Sequence, residues 1–156
     1  AMLLYLTAYL FMNLGAFACV VAVVEATGSE SVEAFRGLSK RAPALALAGA
    51  VFLLSLAGLP PLFGFVGKLL LFRSALEAGI SSLAIAAAVN SAIALYYYVN
   101  LIRLMYFNPP AEPAPLRLAP VLGLAVGVCA AATLLLGLFP GSLLTLLSRG
   151  SLANLL

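Results

Sequence analysis

From Ala44 to Phe72 the chain reads ALALAGAVFLLSLAGLPPLFGFVGKLLLF, an apolar run interrupted in its middle by Gly58-Leu59-Pro60-Pro61 and carrying a single charge, Lys68. A membrane span takes about 20 apolar residues, so the run can cross a bilayer and still leave several residues for an irregular middle. Pro60 and Pro61 lack N–H donors, and the second proline clashes with a preceding helical turn. In hydrocarbon the carbonyls they free must find internal partners, so such a break is tolerated only where protein or a water-filled cavity surrounds it. Broken helices of this kind occur at ion sites in transporters. A simple proline kink between two packed half-helices is the plainer reading of the same residues.

Lys68 makes the functional reading the sharper one. It lies five residues before Arg73, the first polar marker of an exit from the apolar run, which is about 7.5 Å at helical rise. A lysine stem can snorkel much of that distance, so an anchoring role stands beside a functional one. An ammonium at the bilayer centre costs about 2.5–3.5 kcal/mol on insertion scales. A cost of that size lets hydration or a nearby carboxylate decide whether the proton stays. Gly64 and Gly67 leave room beside the ammonium, while Phe65 and Phe72 lie near its helical face. Lys68 is therefore the candidate proton-relay residue, with Gly58, Pro60, Pro61, Gly64 and Gly67 as the supporting helix break. Glu25 and Glu77 fall at expected helix ends, so an acidic partner for Lys68 has to come from outside this stretch of chain.

The composition agrees with a membrane setting. It is 65% hydrophobic and 8% charged, against about 25% charged in soluble domains. The basic residues sit near expected helix ends, and nothing in their pattern points to nucleic acid. Cys19 and Cys129 are single thiols within apolar runs and read as packing residues. The chain has no histidine and no aspartate, so neither a metal site nor a cofactor site is expected from its own side chains. An apolar run is under way by Met2 without a basic region before it. The expectation is the tail of a longer membrane protein.

Taken in order, the pattern predicts an all-α, polytopic transmembrane bundle with spans at about 2–24, 44–72, 81–107 and 117–139, the second of them broken. Asn13 lies at mid-depth of the first span beside Gly15, where an amide can bond across helices; packing is its plainer role. The connector 25–43 holds Val32, Phe35 and Leu38 opposite Glu33, Arg36 and Lys40, the spacing of a short amphipathic helix at the interface. The third span has Asn90 and Ser91 at its centre and Tyr96-Tyr97-Tyr98 toward its end. Asn90 and Tyr97 share a face, so Asn13, Asn90 and Tyr97 are the candidate lining of a polar path. An aromatic belt is the ordinary role of the tyrosines. The run 108–115 is proline-rich and reads as a stiff linker. Gly123 and Gly127 form a GxxxG in the last span, and residues 142–156 are apolar enough to lie at the interface. Arg36, Lys40, Arg41, Arg103 and Arg117 flank the first and third connectors, against Arg73 and Arg149 on the other side. That asymmetry places the connectors in the cytoplasm and both chain ends outside.

The run LSLAGLPPLFGFVGKLLLF, followed one span later by NSAIALYYYVNLIRLMYF and preceded by YLTAYLFMNLGAFACV, resembles the C-terminal part of the antiporter-like membrane subunits of respiratory complex I, an NADH-quinone oxidoreductase. The likeness covers nearly the whole chain and is most specific in GFVGK and LYYY. It implies the last four helices of a fourteen-helix fold in a bacterial inner membrane, with Lys68 matching the lysine of a broken helix that hands protons toward the outside. It also implies other membrane subunits, the upstream part of the same polypeptide and the lipid bilayer as partners. Flavin, iron-sulfur clusters and quinone belong to partner subunits in that family. The family's upstream glutamate and lysines have no counterpart here. Two other functions remain open at this point: a subunit of a multisubunit sodium/proton antiporter, and a structural membrane scaffold in which Lys68 snorkels.

Overall fold

The computed structural model describes residues 2–139 and 141, and every described element is helical. In chain order these are α1 (Met2–Thr27), a 3₁₀ turn (Val32–Phe35), α2 (Leu38–Arg41), α3 (Pro43–Ala57), α4 (Phe63–Glu77), α5 (Ser81–Phe107) and α6 (Pro120–Leu138). Among the described residues three helices are long and apolar enough to cross a membrane, those containing Tyr9–Thr27, Ser81–Phe107 and Pro120–Leu138, and Pro43–Ala57 is a shorter apolar helix. The broken span expected over 44–72 is a pair of helices of 15 residues each, about 22 Å apiece against a hydrocarbon core of about 30 Å.

The sequence explains where α3 stops. Gly58 takes a left-handed conformation at φ 85°, and its N–H reaches Ser55 O at 3.0 Å while the N–H of Leu59 reaches Leu54 O at 3.1 Å. These are the paired bonds of a Schellman ending, which needs a residue without a Cβ at the left-handed position. Pro60 and Pro61, joined by a cis peptide bond, cannot continue a helix. The chain turns through Leu62, whose N–H bonds Leu59 O, and restarts as α4.

α1, α3 and α6 pack on one another, α4 packs on all three, and α5 packs on α3 and α4. The main core gathers Cys19, Val23, Leu38, Leu45, Phe52, Met105 and Val126. Gly15 lets the Phe52 ring lie against α1, since a Cβ there would run into that ring. Met12 and Phe63 form a second, smaller core at the break, where Gly137 of α6 comes so close that its Cβ would fall 2.6 Å from Phe63 N. The GxxxG pair behaves otherwise: Cβ atoms at Gly123 and Gly127 would meet nothing within 4 Å among the described residues. The glycine that brings α6 close is Gly137.

The connector differs from the single amphipathic helix expected. Gly37 sits at φ 61° with its N–H on Leu104 O at 3.0 Å, and this splits the segment into the 3₁₀ turn and the one-turn α2. Leu38 is buried and Phe35 packs on the core, but Val32 is exposed. The connector is fastened to the proline-rich linker. Arg36 Nε donates to Pro109 O and Arg41 Nε to Ala114 O, both at 3.1 Å, and Leu116 N–H reaches Arg41 O. The first and third connectors therefore lie together. α4 also runs past Arg73 to Glu77, because these two side chains pair across one helical turn at 2.7 Å. α6 starts at Pro120 rather than at 117, proline being favoured at a first helical position. Residues 142–156, including Arg149, lie outside the described residues.

Candidate functional site

The break creates the site. Ending α3 at Ala57 leaves its last carbonyls without helical partners, and Lys68 Nζ donates to Ala57 O at 3.1 Å. The carbonyl end of a helix carries partial negative charge, so an ammonium is favoured there. Lys68 can reach it because its stem lies over Gly58: a Cβ on Gly58 would fall 2.8 Å from Lys68 Cδ. Gly58 thus serves the turn and the lysine together.

Lys68 faces a cavity of about 440 Å³ between α1, α3, α4 and α5. Asn13 lines it from α1 and Asn90 from α5, so the structure brings both to the lysine's cavity. Asn13 Nδ2 is held by Tyr9 O of its own helix at 2.8 Å. Tyr97 is 65% exposed and is not part of this wall; Tyr98 is. The signal that identifies Tyr98 is a stripe at spacings of three and four, Ala84, Ala87, Ser91, Ala94 and Tyr98, all of which line the cavity. Small side chains opposite a lysine are what leaves the space open. Gly64 borders the cavity, Gly67 is buried within α4, and Pro60 and Pro61 are exposed beyond it. Phe72 reaches the lining and Phe65 does not. Among the described residues the lining includes no carboxylate, and two of its members, Tyr9 and Asn90, are exposed.

Ser55, which sequence reasoning passes over, is fully buried here. Its Oγ accepts the N–H of Gly64 at 3.1 Å and donates to Met12 Sδ at 2.8 Å. Gly64 is the residue that permits this closeness, since a Cβ there would collide with Ser55 O and lie 3.2 Å from Met12 Sδ. Among the described residues no cluster of side chains suited to a metal ion is found.

These features can be set beside known proteins. Residues 1–94, which include the break and Lys68, match the family model described as NADH:quinone oxidoreductase/Mrp antiporter, transmembrane. NADH-quinone oxidoreductase subunit N of Anaeromyxobacter is 46% identical over 148 residues, covering 89% of this chain and 29% of that protein. Subunit N 2 of Sorangium cellulosum is 45% identical, covering 96% of this chain and 30% of that protein. A solved structure of respiratory complex I from Thermus thermophilus with bound aureothin contains a chain that is 37% identical and superposes with a TM-score of 0.76 over 88% of this chain and 33% of its own. The chain spans about 30% of the length of the curated relatives it matches. With its break, its lysine and more than half of its residues inside the matched region, the chain belongs to the NADH:quinone oxidoreductase/Mrp antiporter transmembrane family.

Proposed function

We propose that the chain is the C-terminal part of a proton-translocating membrane subunit of an NADH-quinone oxidoreductase, most like subunit N, and that Lys68 is its proton relay. α3 and α4 together form one span broken at 58–62, so that the described chain crosses the membrane four times. In its charged form the Lys68 ammonium rests on Ala57 O at the negative end of α3. Water admitted between α4 and α5 accepts the proton. The neutral amine holds a carbonyl less strongly than the ammonium does, so proton loss and loosening at the break are linked. The acid that governs Lys68 comes from the upstream part of the polypeptide or from a neighbouring membrane subunit, approaching on the side of Tyr9 and Asn90. Flavin, iron-sulfur clusters and quinone chemistry reside in partner subunits. The charge asymmetry puts the joined connectors on the cytoplasmic side of a bacterial inner membrane.

The observation that carries this reading is the bond from Lys68 to a carbonyl freed by the helix break, beside a cavity that Lys68 shares with Asn13, Asn90 and Ser91. Proton pumping by the full assembly in proteoliposomes tests it, with electron transfer followed in parallel. Lys68→Met is expected to lower pumping or coupled turnover while assembly stays intact; unchanged pumping would reduce Lys68 to an anchor. A sodium/proton antiporter subunit is the second reading, favoured by the family description, which covers both kinds of protein. Flavin and iron copurifying with the native assembly separate the two.

A further inference from the structure

We propose that Ser55 is a positioning residue for Lys68, a hydroxyl pin that sets the distance between the two half-helices. Gly64 and Lys68 are four positions apart on one face of α4, and Ser55 and Ala57 are two positions apart on the last turn of α3. The Ser55–Gly64 bond at 3.1 Å and the Lys68–Ala57 bond at 3.1 Å are therefore two rungs of one ladder across the break. Ser55 is fully buried, and Ser55, Gly64 and Lys68 all line the same cavity. Ser55 also ties the ladder to α1 through Met12 Sδ at 2.8 Å. A thioether is a weak acceptor, so that bond orients the hydroxyl, leaving its lone pairs for Gly64 N–H. Two close approaches hold the start of α4 so that the rung can form. Gly64 lies against Ser55 O, and Gly137 of α6 backs Phe63 from the other side. Without the hydroxyl the Gly64 N–H is left buried without its partner, α4 shifts to recover one, and Lys68 is carried off Ala57 O.

The proposal rests on the relay reading of Lys68, and a double-mutant cycle in the assembled complex separates the two. Protons pumped per electron would be measured in proteoliposomes for Ser55→Ala, Lys68→Met and the double variant, with assembly followed on native gels. Ser55→Ala is expected to lower pumping per electron by roughly two- to tenfold, the weight of one neutral hydrogen bond. Added to Lys68→Met, it should lower pumping no further. Ser55→Cys, which keeps the size and a weaker acceptor, should fall between wild type and Ser55→Ala. If Ser55→Ala does not assemble, Ser55→Cys decides by the same comparison. Normal pumping in the Ser55 variants while Lys68→Met is impaired overturns the positioning role and leaves the relay standing, as does a loss that simply adds to that of Lys68→Met. Normal pumping in Lys68→Met overturns the relay itself.

Discussion

Gly58→Ala should uncouple the effect of backbone strain from the effect of displacing Lys68. Gly28, Gly58 and Gly79 all have positive φ, at 68°, 85° and 75°, so an alanine at each meets the left-handed penalty of about 1–2 kcal/mol. Their surroundings differ. Alanine at Gly28 or Gly79 would meet nothing within 4 Å, whereas at Gly58 the new methyl would lie 2.8 Å from Lys68 Cδ and 3.4 Å from Nζ. The lysine stem is flexible, so it moves aside and adds little strain. What it loses is the bond to Ala57 O, and a hydrogen bond made by a charged group contributes about 1.5–3 kcal/mol. At about 1.4 kcal/mol per tenfold, the docked state of Lys68 becomes roughly ten- to a hundredfold rarer. Thermal unfolding of the purified assembly should therefore show a loss in all three variants, larger in Gly58→Ala by the contribution of the lost Lys68 bond. Proton pumping in proteoliposomes should fall by about tenfold or more in Gly58→Ala alone. Wild-type pumping in Gly58→Ala, or equal losses in all three, would refute the claim that Gly58 exists to make room for the lysine.

Other substitutions probe the close approaches and the connector. Gly64→Ala and Gly137→Ala place a Cβ against backbone atoms of a neighbouring segment, which cannot yield as a side chain can; each should cost about 1–3 kcal/mol as overpacking. Gly123→Ala and Gly127→Ala, with open space around them, should match or slightly exceed wild type in the same thermal measurement. Arg41→Ala removes the donor to Ala114 O and should cost about 0.5–1.5 kcal/mol, read as faster hydrogen exchange at Leu116, whose N–H bonds Arg41 O, with pumping unchanged.

The parts of this site that could be read from the sequence are those whose causes are local. Two prolines after a glycine announce a broken helix wherever they fall, and a lone lysine in an apolar run announces itself by its cost. Asn13 and Asn90 stood out for the same reason, and both line the cavity. The spacing of Tyr97 from Asn90 points to a shared face, but a seven-residue spacing does not say which face turns inward. The small residues Ala84, Ala87 and Ala94 settle that in favour of Tyr98, because only a face lined with small side chains leaves a void beside α4. Ser55 could not be found this way. Its role depends on Gly64 folding back onto it nine residues later, and a single serine in an apolar helix has the same appearance whether it caps, packs or pins. The split of the connector at Gly37 was equally hidden, since it is fixed by Leu104 O, a partner from α5.

The direction of the Lys68 side chain bears on the choice between anchor and relay. A helical side chain leans toward the N-terminus of its own helix, so the Lys68 stem leans back toward the break and away from Arg73. Snorkelling to the nearer exit would require the opposite lean, and α4 lengthens that route by continuing to Glu77. The ammonium instead meets Ala57 O. The break and the lysine then offset each other's cost: Lys68 supplies a donor to the carbonyl that the break frees, and that carbonyl at the negative end of α3 favours the ammonium. Each makes the other tolerable, and in the relay proposed above each is weakened when the proton leaves. An anchor gains nothing from such mutual dependence, because a charge held at the interface is solvated whatever the helix does. A relay gains a direct link between its protonation state and the geometry of the span that carries it.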